Sequence, residues 1–207
     1  MEAELLSSAK IIFFMKKQNL LTEKLINDHF NLKGLLIQNS EKITQIAKEI
    51  SLTIKHKGCV FWCGNGGSAA DAQHLSAEFL GRFEKSRKPM KSIALTTDTS
   101  ALTALSNDYN FDIIFSRQLE ALAEKKDILI VFSTSGNSKN IINALKYAKK
   151  KKLKSIAILG NNGGKAKRFS NLDICLPIKN VARIQEMHIL IGHIICSIVE
   201  KNFIKKK

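Results

Sequence analysis

Residues 59–83 read CVFWCGNGGSAADAQHLSAEFLGRF, and this stretch decides the fold. Its first five residues are apolar and predict a short buried strand at 59–63. The Gly-rich turn at 64–68 follows, and from about Ala69 to about Phe83 the apolar residues recur at helical spacing. A strand, a glycine-rich loop and a helix in this order indicate one unit of an α/β sheet.

The same alternation continues to the end of the chain. Further apolar runs predict four more strands, and helical spacing lies between them; the runs are 91–95, 127–133, 154–159 and 172–177. Strands that are apolar throughout are typical of a parallel sheet covered on both faces. A last helix is expected at 181–202, and residues 1–57 show only helical spacing. The prediction is an α/β fold: a doubly wound, five-stranded parallel sheet sandwiched by helices, with an N-terminal helical extension.

We expect two parts in the chain. Residues 1–57 are predicted to form helices that pack on the core and make the oligomer interface, and residues 58–207 to form the ligand-binding domain. In open α/β sheets, ligands bind beyond the carboxyl ends of the strands, where the Gly/Ser-rich loops fall.

Composition narrows the class of protein. Of 207 residues, 44% are hydrophobic and 25% charged, as in a globular protein, and the formal net charge is +15. Only five of the 33 basic residues are Arg, the side chain on which nucleic-acid readers depend. The excess of Lys therefore favours solubility and attraction of anionic metabolites over nucleic-acid binding.

The sequence predicts a cytoplasmic protein with free thiols. No membrane span is expected, because the stretch 187–199 contains two His and is shorter than the roughly 20 residues that a span needs. The N-terminus carries Glu2 and Glu4 where a signal peptide has positive charge. The four Cys form no CxxC pair, so neither a zinc ribbon nor a redox motif is predicted.

Two loops have the composition of phosphate-binding sites. GNGGS at 64–68 and STSGNS at 133–138 each follow a strand and open a helix, whose N-terminal N–H groups favour anions. Neither matches a Walker A loop or a dinucleotide fingerprint, so no nucleotide cofactor is expected. A phosphate monoester held by hydroxyl groups fits better. The alternative is that these residues only cap helices and form turns.

Polar residues on two helices suggest a metal or acid/base site. His74 and Glu78 are four apart, on one helix face, while Gln185, His188 and His193 interrupt an apolar helix. Nitrogen and oxygen donors of these kinds suit zinc, although a lone buried His is more often a core residue. Gln185 and His193 lie about 12 Å apart along an ideal helix and about 80° around it, so Gln185 with His188 is the easier pair.

Three runs together resemble the phosphoheptose isomerases, which convert sedoheptulose 7-phosphate and belong to the sugar-isomerase (SIS) domain proteins. They are GNGGSAADAQHLSAEFLGRF (64–83), STSGNS (133–138) and ARIQEMHILIGHII (182–195). The resemblance covers residues 20–203 and implies a SIS phosphosugar-binding domain at 58–207. It also implies the product D-glycero-D-manno-heptose 7-phosphate, a precursor of bacterial surface glycans, one zinc ion per site, and a homotetramer with active sites between subunits.

The resemblance also implies roles for individual residues. Glu78 is similar to the family's base and His193 to its acid. The implied zinc ligands are His74, Glu78, Gln185 and His193. The implied contacts to phosphate are Ser68, Ser133, Thr134, Ser135 and Ser138, and those to the rest of the substrate are Asn65, Gly66, Gly67, Arg82, Asp108 and Gln185. One position departs: Ala182 stands where these isomerases often have Asp, which puts the hydroxyl contacts in doubt.

Three other functions stay open. A related non-catalytic branch binds the replication initiator and shares the Ala182–Arg183 pair, but lacks counterparts of Glu78 and His193. The loops would equally serve an isomerase of another phosphosugar. A basic nucleic-acid binder is the third alternative, and it predicts salt-dependent retention on DNA.

Overall fold

The structure is a computed structural model that describes residues 2–204, with side-chain surroundings from residue 10 onward. Strands and helices alternate after three N-terminal helices. The helices are α1 (Glu2–Phe30), α2 (Lys33–Gln38), α3 (Ser40–Lys55), α4 (Gly67–Leu80), α5 (Thr99–Asp108), α6 (Ile114–Leu122), α7 (Lys139–Lys151) and α8 (Val181–Lys201). The strands are β1 (Val60–Cys63), β2 (Ser92–Ala94), β3 (Ile128–Ser133), β4 (Lys154–Gly160) and β5 (Leu172–Leu176).

The strands form one parallel sheet in the order β2-β1-β3-β4-β5. All residues of β1 and β3 are buried, which is why their sequences are apolar without alternation. The strand order changes direction at β1: β2 is added on one side of it and β3, β4 and β5 on the other. The boundary between β1 and β3 is therefore the switch point where such sheets bind ligands. The predicted doubly wound, five-stranded fold is confirmed.

One predicted helix ends earlier than expected. α4 ends at Leu80, before Phe83, because Gly81 follows and the chain leaves the helix there. The helical spacing predicted between the second and third strands corresponds to α5, a single 3-10 turn (Phe111–Ile113) and α6. The break lies at Asn110, whose side chain accepts a hydrogen bond from the Asp112 N–H.

The chain divides into two compact units, Met1–Gln38 and Asn39–Lys207. The predicted boundary at residue 57 differs from this division by α3, which belongs to the second unit and packs against α8. In the first unit, α1 exposes large apolar side chains, among them Ile11, Phe14 and Leu21. A helix with so many exposed apolar side chains is more apolar than a solvent-facing helix ordinarily is.

Helix α8 is the apolar helix of the second unit. By length and composition it could cross a membrane, with a mean hydropathy of 1.2, which is weak evidence because core helices pass the same test. It packs against α3, α4 and β4, and nine of its residues are buried. Gly192 allows the close approach to α4: a Cβ atom there would lie 2.4 Å from a methyl carbon of Leu75.

The four cysteines are free thiols, as expected. Burial raises the pKa of Cys59 to about 12, where Asp127 adds to the effect, and raises the pKa of Cys196 to about 12. Both groups therefore stay protonated and unreactive at neutral pH.

Candidate functional site

Helices α4 and α8 bring three of the predicted site residues together. The Nε2 atoms of His74 and His193 lie 2.9 Å apart, and the Glu78 Oε1 atom lies 3.5 Å from His74 Nε2. His74 and Glu78 share one face of α4 because four residues separate them. His193 meets them because its neighbour Gly192 has no side chain to hold the helices apart.

The surroundings of His193 lower its pKa. Burial lowers the pKa of His193, the nearby His74 lowers it further, and Glu78 opposes both. One turn before His74 on α4, burial raises the pKa of Asp71 to about 6, against the opposing effect of His74. The lowered pKa favours the neutral imidazole at His193, which has a lone pair that can accept a proton or bind a cation.

The donor atoms have the chemistry of a zinc site without being arranged around an ion. Among residues 2–204, no group of three or more His, Cys, Asp or Glu side chains has the geometry of a metal site. Two imidazole nitrogens and one carboxylate oxygen nevertheless point at one another, and they are donors that zinc prefers. The donor set therefore fits such an ion.

Gln185, the other predicted zinc ligand on α8, packs against the first loop. A Cβ atom on Gly67 would lie 2.4 Å from Gln185 Nε2, so the amide rests on the glycine backbone. His188, the easier partner for Gln185 by spacing, is instead fully buried, with its ring 5.7 Å from that of Phe132. His188 is therefore a core residue, and it does not pair with Gln185 as a donor.

The first loop is joined to α7 by a pair of amides. Asn65 and Asn140 donate to each other's Oδ1 atoms, both at 2.8 Å. Gly66, at φ +57°, turns the chain into α4, and Ser68 is buried at the start of that helix. The pair fixes the loop of β1 against the helix that follows β3, across the switch point of the sheet.

The second loop is held in shape by its own hydroxyls and by the segment after β4. Ser133 Oγ accepts from the Gly136 N–H at 3.0 Å, and Ser135 Oγ accepts from the Asn137 N–H at 3.1 Å. Gly136, at φ +64°, packs so closely on Gly163 that a Cβ atom would lie 2.0 Å from the Gly163 carbonyl oxygen.

The second loop also opens onto the start of α7. Ser138 is the N-cap of α7 by backbone, and its hydroxyl makes no capping hydrogen bond. Thr134 is half-buried beside these residues, and its carbonyl oxygen accepts from Asn161 Nδ2 at 3.0 Å.

Two predicted substrate contacts lie on exposed segments. Arg82 is exposed directly after α4, and Asp108 is exposed at the end of α5, where its Oδ1 accepts from Asn107 Nδ2. Ala182 is exposed in the first turn of α8, where its N–H donates to the capping side chain of Asn180. Arg82 lies just after the end of α4 and Asp108 at the end of α5. Within residues 2–204, neither side chain bonds to His74, Glu78 or His193.

Sequence analysis missed several residues that organise the site. Asn140 had a signal, since an Asn two residues after a helix cap is a candidate for a side-chain contact. Phe83, Arg87 and Glu200 had none, because they lie on an irregular segment and near a helix end. Phe83 stacks on the His193 ring, with centroids 5.5 Å apart and planes at 28°.

Comparison with known proteins identifies related sequences over most of the chain. The SIS domain family matches residues 31–160. A phosphoheptose isomerase of Nitratiruptor sp. is 51% identical over 150 residues, which is 72% of this chain and 80% of the relative. A phosphoheptose isomerase of Aliarcobacter butzleri is 52% identical over 160 residues, 77% of this chain and 83% of the relative.

Solved structures show the same fold. The phosphoheptose isomerase of Neisseria gonorrhoeae superposes with a TM-score of 0.82 at 38% identity, covering 89% of this chain and 98% of that one. The phosphoheptose isomerase of Francisella tularensis gives 0.79 at 37% identity, covering 87% of this chain and 98% of that one. A sugar isomerase domain of an RpiR transcription factor from Sphaerobacter thermophilus, at 19% identity and a TM-score of 0.63, shares the fold alone.

Proposed function

The chain belongs to the phosphoheptose isomerases of the SIS domain family, and we propose that it converts sedoheptulose 7-phosphate to D-glycero-D-manno-heptose 7-phosphate. It is an isomerase that acts on a phosphorylated heptose. The observation that supports the specific reaction is the convergence of His74, Glu78 and His193 between α4 and α8.

The proposed chemistry needs one base and one acid. The Glu78 carboxylate takes a proton from C1 of the ketose while His193 gives a proton to the C2 carbonyl oxygen, which leaves an enediol. Return of the first proton to C2 and loss of the C1 hydroxyl proton then yield the aldose. Atoms and electrons balance without a redox partner. His193 regains its proton from the C1 hydroxyl group, so both groups return to their starting protonation states after each turnover.

The two loops would hold the phosphate. In this proposal Ser68, Ser133, Thr134, Ser135 and Ser138 donate hydrogen bonds to the phosphate oxygens, and the N-terminus of α7 adds its positive end. Asn65, Gly66, Gly67, Gln185, Arg82 and Asp108 are proposed to contact the remainder of the sugar. The reciprocal Asn65–Asn140 amide pair supports this by fixing both loops relative to each other.

Zinc is proposed as the cofactor, held by His74, Glu78, Gln185 and His193. When bound, the ion would supply Lewis-acid stabilisation of negative charge on the sugar oxygens. We propose no nucleotide cofactor, since neither loop has the corresponding motif.

The proposal extends to the oligomeric state, the cellular compartment and the use of the product. We propose a homotetramer, and the apolar side chains that α1 exposes support burial of this helix between subunits. We also propose a cytoplasmic enzyme that supplies heptose for surface glycans and binds neither membrane nor nucleic acid.

The test is turnover of sedoheptulose 7-phosphate by the purified protein, with and without added zinc, beside Glu78→Gln and His193→Gln. Each variant should lose at least about 100-fold in kcat. Fructose 6-phosphate serves as the control substrate, because an isomerase of hexose phosphates would accept it. Absence of aldose product from folded, zinc-loaded protein would contradict the proposal and direct attention to a non-catalytic binding role.

A further inference from the structure

A segment without regular structure, residues 81–91, connects α4 to β2 and crosses the end of α8. We call it the α4–β2 segment. It begins directly after the helix that carries His74 and Glu78, and it contains Phe83, whose ring lies on His193. The segment therefore touches both halves of the proposed acid/base pair.

The segment is anchored by a buried carboxylate at the end of α8. Glu200 accepts three consecutive backbone N–H groups: Phe83 at Oε1, and Glu84 and Lys85 at Oε2, each at 3.0 Å. The Glu200 side chain is only 3% exposed, so it has left water for these bonds. Burial alone would raise its pKa, but the three N–H groups and Arg87 together hold the pKa of Glu200 below its ordinary value.

The arginine that pairs with Glu200 also binds the C-terminal end of helix α4. The side chain of Arg87 is 2% exposed, and its Nε atom lies 3.4 Å from Glu200 Oε1. Its Nη2 atom donates to the carbonyl oxygen of Glu78 at 2.6 Å, and its Nη1 atom donates to that of Phe79 at 2.9 Å. These are carbonyls of the last turn of α4, which have no partner within the helix. Arg87 thus holds the backbone of Glu78 itself.

The arrangement makes one rigid connection between the two helices of the site. Glu200 follows His193 by seven residues, two helical turns, so the two side chains leave α8 on the same side. The helix that presents His193 therefore also fixes the backbone of Phe83, which covers the imidazole. The guanidinium that neutralises Glu200 fixes the turn that presents Glu78.

We propose that Phe83, Arg87 and Glu200 are positioning residues for the isomerisation: they set the plane of the His193 ring and the position of Glu78 relative to it. This inference rests on the proposed function of Glu78 and His193. None of the three needs to touch the substrate. Their effect comes through geometry, because small misplacements of reacting groups are costly in rate.

The stacked ring can be tested with a conservative pair of substitutions. Phe83→Leu keeps an apolar side chain but removes the flat face, while Phe83→Tyr keeps the face. We expect Phe83→Leu to lose about 10-fold or more in kcat with KM within about twofold, and Phe83→Tyr to retain activity. Phe169→Leu is the matched control, since Phe169 is also a half-buried phenylalanine but packs elsewhere, beneath Lys146 and Lys149.

The ion pair between Arg87 and Glu200 gives an independent test. Arg87→Lys keeps a cation beside Glu200 but loses the planar fork that reaches two carbonyl groups. It should lower kcat by about 10-fold with little change in KM, at a melting temperature that still leaves the protein folded. If Phe83→Leu fails to fold, this variant decides the question alone.

The outcomes separate this inference from the proposed function. Turnover by the unaltered protein, loss in Glu78→Gln, and wild-type kcat in folded Phe83→Leu and Arg87→Lys would overturn the positioning role and leave the isomerase standing. Equal loss in Phe83→Leu and Phe169→Leu would also overturn it, since that result reports packing alone. No turnover by the unaltered protein would overturn both.

Discussion

The Nε2 atoms of His74 and His193 lie 2.9 Å apart, although 119 residues separate them in the sequence. Two imidazole nitrogens at this distance either share a proton or face a common cation. Both uses require that at least one ring presents its lone pair. The pair therefore links the proposed acid of the reaction to the proposed metal site.

The first prediction concerns zinc. His74→Ala and His193→Ala should each weaken zinc binding to the metal-free protein by at least about 100-fold, because each removes a nitrogen donor. Competition with a chromophoric chelator measures this without any assay of activity. His56→Ala, an exposed position just after α3, is the control and should bind zinc as the unaltered protein does. Unchanged affinity in both site variants would contradict the proposed ligands.

The second prediction uses the contact between Gly67 and Gln185. Gly67→Ala should displace the Gln185 amide, since the added Cβ would lie 2.4 Å from its Nε2 atom. We expect kcat/KM to fall by about 10-fold or more, with the melting temperature unchanged or slightly raised, because Ala favours helices. Gly34→Ala, where a Cβ meets nothing within 4 Å, is the matched control. An active Gly67→Ala enzyme would show that the Gln185 position is unimportant.

The third prediction concerns the amide pair between the loops. Asn140→Ala leaves Asn65 without its partner and should cost about 1–3 kcal/mol in the free energy of unfolding, together with a raised KM for the sugar phosphate. Asn143→Ala is the control on the same helix, since its Nδ2 atom donates to the carbonyl oxygen of Asp112, away from the loops. A rise in KM for both variants would indicate a general effect of α7.

The fourth prediction is a pH dependence of stability. Burial lowers the pKa of His188 to about 4, which the Leu159 carbonyl partly offsets. The unfolded chain binds a proton at His188 below about pH 6.5, where the folded protein does not, so stability falls as the pH falls from 6.5 towards 4. Between pH 7 and pH 4 the unaltered protein should lose about 3 kcal/mol more than His188→Leu does.

Urea unfolding at several pH values measures this difference. His56→Leu, an exposed histidine, should keep the pH dependence of the unaltered protein. Parallel stability curves for His188→Leu and the unaltered protein would show that His188 is charged or accessible in the folded state.

The fifth prediction addresses assembly. Phe14→Glu combined with Leu21→Glu places two charges two turns apart among the exposed apolar side chains of α1 and should lower the molar mass found by light scattering. Lys16→Glu lies on the opposite side of the helix and should leave the mass unchanged. A tetramer in the double variant would place the interface elsewhere.

Sequence reasoning predicts the fold well because the signals are local. Each strand is an apolar run that a glycine-rich or polar loop ends, and β3, with six buried residues, shows why no alternation appears. The pairing of His74 with Glu78 is equally local, since helix geometry fixes a spacing of four.

The rest of the site depends on tertiary contacts that no spacing reveals. His74 meets His193 only because α4 and α8 cross at Gly192 and Leu75, and the resemblance to known isomerases, not the pattern, indicated this pair. Glu200 has the sequence context of a surface acid at a helix end. Its burial follows from three N–H groups on a segment that has no periodicity to predict.

The reach of Glu200 back to residues 83–85 has a consequence for synthesis of the protein. These bonds join positions 115 to 117 residues apart, so a ribosome has added nearly all of α8 before they can form. A nascent chain can assemble all five strands while the α4–β2 segment still lacks its anchor. Premature termination within the final two turns of α8 would thus release a polypeptide that has all five strands and both loops but no anchor for the α4–β2 segment beside the proposed acid/base pair.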